Sequence, residues 1–152
     1  MTNTKITIHT DGSCIGNPGK GAWVAVIRRY QDGVEVKKST VSGGARQTTN
    51  NQMEMRAALA GLQKIKRDER ATIRVYSDSQ LLVKGMNDWV PGWQRKNWRK
   101  ADGSLVKNRE LWEALIAVCD GLSVQWEWVR GHDGDLRNEE VDGLAFVKAS
   151  QL

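Results

Sequence analysis

Asp32-Gly33 stands between two runs that read as strands, Ala22 to Tyr30 and Val34 to Val41, and a two-residue turn of this kind makes a chain double back on itself. An antiparallel hairpin is therefore expected early in the chain. Another alternation precedes it: Ile6, Ile8 and Thr10 against Thr7 and His9, a strand predicted to stop at Asp11-Gly12. A glycine-rich loop follows, with Gly16, Asn17-Pro18, Gly19 and Gly21. Gly43-Gly44 is expected to end the third strand. Beyond it the period changes. Thr48-Thr49-Asn50-Asn51 is rich in helix-capping residues, and Met55, Ala58, Leu59, Leu62 and Ile65 recur at spacings of three and four. Thr72 to Ser77 reads as a strand and Ser79 to Met86 as a short helix. A longer helix is predicted from about Asn108 to Asp120, then a strand through Val124, Trp126 and Trp128, then a helix capped by Asn138. Hairpin strands first and helix-linked strands later predict an α/β chain: a mixed sheet with helices packed on it.

The 152 residues suit one domain, 1–152, with enough chain for a real core. The chain holds no apolar run of about 18 residues, the length a spanning helix needs. The opening Met1-Thr2-Asn3-Thr4-Lys5 lacks the apolar stretch of an export signal, so Cys14 and Cys119 are expected as free thiols in a cytoplasmic protein. The net charge is +5. Between positions 84 and 109 stand Lys84, Arg95, Lys96, Arg99, Lys100, Lys107 and Arg109, opposed only by Asp88 and Asp102, so the whole surplus lies there. Trp89, Trp93 and Trp98 are interleaved with those cations. That mixture reads either as a nucleic-acid face or as a solvated surface over core tryptophans.

Four carboxylates are placed unlike the rest. Asp11 and Asp78 end predicted strands, where open α/β sheets build sites. Glu54 shares a helix face with Ala57, Ala58 and Gly61, and Asp142 lies beside Val141 and Ala145. If the first and fourth strands are neighbours, Asp11 and Asp78 meet, and like charges held together in a partly buried site either raise one pKa or call for a cation. Hard oxygen donors suit Mg²⁺ or Mn²⁺, and two such ions clamp the attacking and leaving oxygens of a phosphodiester. Taken singly, each carboxylate also fits an ordinary cap, turn or surface role.

Thr10-Asp11-Gly12-Ser13-Cys14-Ile15-Gly16-Asn17-Pro18-Gly19, Thr48 through Glu54, Ser77-Asp78-Ser79-Gln80, and Gly131-His132-Asp133-Gly134 with Asn138-Glu139 and Asp142 form four blocks in order. With them the chain resembles bacterial-type ribonuclease HI along nearly its full length. The resemblance implies the ribonuclease H-like fold, a five-stranded mixed sheet flanked by helices. It implies endonucleolytic hydrolysis of the RNA strand of RNA–DNA hybrids by a two-metal-ion mechanism, with 5′-phosphate and 3′-hydroxyl products. The family's metal-binding, catalytic carboxylates fall on Asp11, Glu54, Asp78 and Asp142, and its mobile-loop histidine on His132. Two Mg²⁺ ions, replaceable by Mn²⁺, are the implied cofactor.

The hybrid duplex is the implied partner, bound by a monomer. Gly12 and Ser13 would offer backbone groups to a sugar, with Asn17, Asn50 and Gln80 in the minor groove. Thr49 and Asn108 fall on the family's pocket for a DNA-strand phosphate. Gln47 takes the place where that pocket often has arginine, and Arg46 lies one residue earlier. Trp89 and Trp93 fall on aromatic positions of the DNA-strand channel, with core packing as their other reading. The stretch from about 89 to 107 matches the family's basic handle. Asn97 replaces a frequent glycine there and tolerates a left-handed backbone. Asp133 beside His132 and Gly143 inside the last helix are further departures. Two other readings are a hybrid-binding module without turnover and a DNA-acting nuclease of the same fold.

Overall fold

The computed structural model describes residues 3–16 and 18–130. The Asp32-Gly33 turn has the backbone its sequence predicts: φ is +51° at Asp32 and +83° at Gly33. Two left-handed residues in succession match the twist of the strands they join. Those strands are β2 (Gly19–Gln31) and β3 (Val34–Thr48), paired antiparallel. β1 (Thr4–Ile15) runs antiparallel to β2, with Asp11 opposite Val24. β4 (Thr72–Ser77) and β5 (Ser123–Trp128) add parallel strands, giving the order β3-β2-β1-β4-β5. The mixed five-stranded sheet expected from the sequence is therefore present, and β1 lies at its centre.

Two expected strand ends are corrected. β1 does not stop at Asp11-Gly12; its ladder with β2 continues to Ile15 opposite Lys20. β3 runs through Gly43-Gly44 to Thr48. Gly43 lies over the Trp23 indole, where a Cβ would come within 2.4 Å of Cζ2. The glycine serves a packing need on the sheet face, and the sequence alone does not separate that from a chain break. A bulge lies near the end of β3, where Gly19 pairs with Thr48 but Gly21 pairs with Ala45, so Arg46 and Gln47 together oppose Lys20.

α1 (Asn50–Gln63) is capped by Thr49, whose hydroxyl oxygen accepts from Gln52 N. The cap is thus Thr49, and Asn50 is the first helical residue. The helix buries a broad band, Met53, Met55, Ala57, Ala58 and Leu62, against β1 and β2. Gly61 lets it approach closely, since a Cβ there would lie 2.8 Å from Ile8 Cγ2. α2 (Gln80–Lys84), capped by Ser79, passes through a π-helical turn at Gly85–Trp89 into α3 (Val90–Arg95). Pro91-Gly92, a dipeptide that from sequence alone reads as a break in the basic segment, instead begins α3. Proline is favoured in a first turn because the N–H it lacks has no partner there. α4 (Arg109–Cys119) packs on α1 and supplies Trp112, nearly fully buried. Gly85 makes room for that ring; a Cβ would meet Trp112 Cη2 at 2.2 Å.

Between α3 and α4 the chain makes a small hairpin, with Arg99 bridged to Leu105 and Asp102-Gly103 at the tip. Trp98 anchors it, 5% exposed. Asn97 is left-handed at φ +57°, as its residue type allows, and Trp98 follows at +60°. Among the described residues no helix is long and apolar enough to cross a membrane. Cys14 and Cys119 are free thiols.

Away from the strand ends that hold the carboxylates, Arg29 on β2 pairs with Glu69 through its two terminal guanidinium nitrogens. The hydrogen bond from Arg29 holds the Glu69 carboxyl below its ordinary value, 4.5. A carboxyl lowered on folding stabilises the fold above the unfolded value, and that contribution is lost as pH falls through the folded one. Glu69→Gln is therefore expected to melt below the parent at pH 7, and the gap should close as pH falls below 4.5 and through the folded value. A constant difference in melting temperature across that range would show that the ion pair is not its source.

Candidate active site

Parallel pairing of β1 with β4 sets the site. His9 lies opposite Tyr76 with their rings stacked, centroids 4.6 Å apart. The next residues of both strands lead to Asp11 and Asp78 at one end of the sheet. Thr10 Oγ1 donates to Tyr76 O across the gap at 3.1 Å. Helix α1 crosses this end and adds Glu54. One carboxylate oxygen from each of Asp11, Glu54 and Asp78 lies within 4.8 Å of the others. Asp11 is 7% exposed and Glu54 8%; Asp78 is half-buried.

Gly12 makes this gathering possible. A Cβ there would stand 2.4 Å from both Glu54 N and Met53 C, so the strand and the helix backbone are already in contact. Beside the sugar contact that the sequence suggests, Gly12 thus has a structural role, the close approach of β1 to α1. Ser77, fully buried, was not singled out from the sequence. Its hydroxyl accepts from Ser79 N at 3.1 Å, and its hydrogen faces Glu54 Oε2 at 3.5 Å. Trp128 also reaches the site from β5, donating from Nε1 to Asp78 O at 3.2 Å. Neither residue carries a sequence signal beyond its place beside an acidic residue or strand end.

The other candidates lie around this centre. Ser13 is half-buried on β1, while Asn50 and Gln80 are exposed first residues of α1 and α2. Thr49 is spent partly as a cap, yet its hydroxyl hydrogen is not used by that bond. Asn108 precedes α4 in a left-handed conformation, φ +61°, and its Oδ1 accepts from Gln52 Nε2 at 3.2 Å. Arg46 is exposed in the β3 bulge. Trp89 is exposed at 39%. Trp93 is half-buried in an aromatic cluster, its ring 5.3 Å from Trp112, 5.8 Å from Trp89 and 6.2 Å from Trp98. Trp93 thus does much of the core packing named as its other reading, and Trp89 presents the larger free surface. Of the cations nearby, Arg109 is paired with Glu113 and lies 5.6 Å over the Trp98 ring. Asn17, His132, Asp133, Asp142 and Gly143 lie outside the described residues.

The donor set fits divalent magnesium or manganese. All three groups are carboxylates, and removing two of them from water beside a third is costly without a counter-charge. Residues 3–150 match the family model described as RNase H. The chain is 49% identical over 144 residues to the ribonuclease H of Acidithiobacillus ferrooxidans, covering 95% of this chain and 87% of that one. It is 48% identical over 141 residues to that of Bordetella pertussis, covering 93% and 86%. Its structure is similar to LC9-RNase H1, a type 1 RNase H with the type 2 active-site motif: TM-score 0.86, 28% identity, 99% of this chain and 74% of that one. It also shares its fold with LC11-RNase H1, solved in complex with an RNA/DNA hybrid, at TM-score 0.72 and 21% identity over 97% and 98% of the two chains.

Proposed function

Since this chain belongs to the ribonuclease H family of phosphodiester-hydrolysing nucleases, we propose that it cuts the RNA strand of RNA–DNA hybrids internally, leaving 5′-phosphate and 3′-hydroxyl ends. The observation that carries the reading is the gathering of Asp11, Glu54 and Asp78 at the end of two adjacent parallel strands. These three, with Asp142, are the residues to hold two Mg²⁺ ions. Bound there, the ions supply charge neutralisation at the phosphate and activation of the attacking water.

The chain's own groups do the rest. Ser77 directs its hydrogen at one oxygen of Glu54, which holds that carboxylate in place. Glu54 accepts the 2′-hydroxyl hydrogen of the RNA, the atom that distinguishes RNA from DNA. Gly12, Ser13, Asn17, Asn50 and Gln80 line the minor groove, and Asp142 and His132 complete the site from the last block. His132 carries a proton toward the leaving 3′ oxygen. Thr49 and Asn108 donate to a phosphate of the DNA strand, with exposed Arg46 in reach of the same strand. Trp89 and Trp93 offer apolar faces to deoxyribose. The basic segment from about 89 to 107 is the handle that holds the backbone, in a cytoplasmic monomer. Each phosphate neutralised there steepens the fall of log affinity with log salt by roughly 0.7–0.9.

The test is cleavage of end-labelled duplexes: RNA–DNA hybrid, RNA–RNA, DNA–DNA and single-stranded RNA, with Mg²⁺ or with EDTA. Cutting confined to the RNA strand of the hybrid and lost with EDTA is expected. Tight hybrid binding without cutting would replace this reading by a binding module, and cutting of DNA by a DNA-acting nuclease.

A further inference from the structure

Gln52 lies in the first turn of α1, and its side chain is held at both ends. Thr48 Oγ1 donates to Oε1 at 2.8 Å, and Nε2 donates to Asn108 Oδ1 at 3.2 Å, across 56 residues of sequence. Its backbone N–H donates to Thr49 Oγ1 at 3.2 Å. These three bonds set the direction of every hydrogen around them. With the Thr48 hydroxyl hydrogen on Oε1, the other end of the Gln52 amide is NH2 and can only donate. Asn108 must therefore turn its carbonyl oxygen toward Gln52, and its own NH2 lies on the opposite side. Thr49 has accepted a hydrogen at Oγ1, so its own hydroxyl hydrogen is left to donate elsewhere.

A second observation concerns Asn108 itself. It stands immediately before α4, where asparagine ordinarily bonds its side chain to the first turn of the helix. Here it makes no such bond; its main-chain carbonyl accepts from Leu111 N and Trp112 N, while its side-chain oxygen is turned to Gln52. The left-handed backbone at Asn108 is the conformation asparagine adopts most readily after glycine. The side chain is thus spared from capping and oriented by a residue of a different helix.

We propose that Gln52 is a positioning residue for hybrid binding: it turns the Asn108 amide so that its NH2, together with the Thr49 hydroxyl, is presented as a donor set to a phosphate of the DNA strand. The inference rests on the reading of Thr49 and Asn108 as phosphate contacts. It adds that their donor direction is set from within the protein, by Gln52. A phosphate oxygen accepts only, so the orientation decides the sign of the contact.

Gln52→Glu tests this directly. The new carboxylate still accepts from Thr48, but it has no hydrogen to give. Asn108 then turns its NH2 inward and points its carbonyl oxygen at the phosphate. Gln52→Met removes the hold on Asn108 without adding charge. Hybrid dissociation constants are to be measured on an Asp78→Asn background, and KM and kcat on the active protein, with melting temperature as the check on folding. Gln52→Glu is expected to raise Kd and KM about tenfold, Gln52→Met about threefold, with kcat at saturation within twofold, the pattern of a lost ground-state contact. In an Asn108→Ala background, Gln52→Met should add nothing, and Gln52→Glu only the repulsion of its charge. If Asn108→Ala weakens binding while neither Gln52 variant does, Gln52 is not a positioning residue. If Asn108→Ala leaves binding unchanged, the phosphate reading itself fails. Equal effects of Gln52→Met with and without Asn108 would mean that Gln52 acts only on the fold.

Discussion

Asp11→Asn is expected to slow hybrid cleavage at least about a thousandfold, roughly 4 kcal/mol of barrier, while raising the melting temperature of the metal-free protein. The two effects have one origin. Asp11, Glu54 and Asp78 present oxygens within 4.8 Å of one another, and two of the three are buried. At an effective dielectric constant near 20, two like charges at that distance repel by about 3 kcal/mol. Water around half-buried Asp78 reduces this, so a gain of about 1–2 kcal/mol is expected, or roughly 3–6 °C. Asparagine keeps the shape of the side chain and removes the charge. Saturating Mg²⁺ stabilises only a protein that binds it, so the melting gap between variant and parent should narrow or reverse on adding the metal. Calorimetry with and without Mg²⁺, beside a cleavage assay, checks all three statements. A variant that melts lower than the parent in EDTA would mean the carboxylates are held by something other than a bound cation.

Gly12→Ala has the next largest expected effect, and it acts on geometry instead of charge. Its Cβ would meet Glu54 N and Met53 C at 2.4 Å, and backbone on both sides cannot step aside as a flexible side chain does. Overpacking in a core typically costs about 1–3 kcal/mol. The upper end of that range is expected here, a fall in melting temperature of about 10 °C. Relief of the clash moves α1 away from β1 and takes Glu54 with it, so kcat should fall more than tenfold even well below the melting point. Gly61→Ala is the control. It crowds Ile8 from the same helix, but at its far end, with 2.8 Å to a side-chain methyl. It should lose stability and keep its activity. Equal activity losses in the two variants would show that Gly12 matters only for the fold.

The contrast between these glycines marks what a sequence discloses. Asp32-Gly33 names its own turn, because two left-handed residues in succession have few other uses, and the structure has both there. The helical period of α1 and the alternation of β5 are equally local signals. The adjacency of β1 and β4 is not local. It was a conditional in the sequence, and the parallel ladder from Lys5 opposite Thr72 to His9 opposite Tyr76 supplies it. Gly12 and Gly43 both looked like chain punctuation. Each instead clears space for a partner distant in sequence, Met53 and Glu54 in one case and Trp23 in the other. Pro91-Gly92 looked like a break for the same reason, since proline ends a helix or begins one according to its neighbours. At the site, the carboxylates were legible as residues on strand ends and a helix face. The hydrogen-bond directions around Gln52 and Ser77 depend on three-dimensional partners and carry no mark in the chain.

The central place of β1 has a consequence for how the molecule breathes. Between Lys5 and His9 this strand is hydrogen-bonded on both sides, to β2 and to β4, whereas among the described residues β3 and β5 are the outer strands of the sheet. Deuterium should therefore enter the edge strands through small local openings and reach the β1 amides only when the whole domain opens. Asp11 lies two residues beyond that segment, so one wall of the site is anchored to the last part of the sheet to let go.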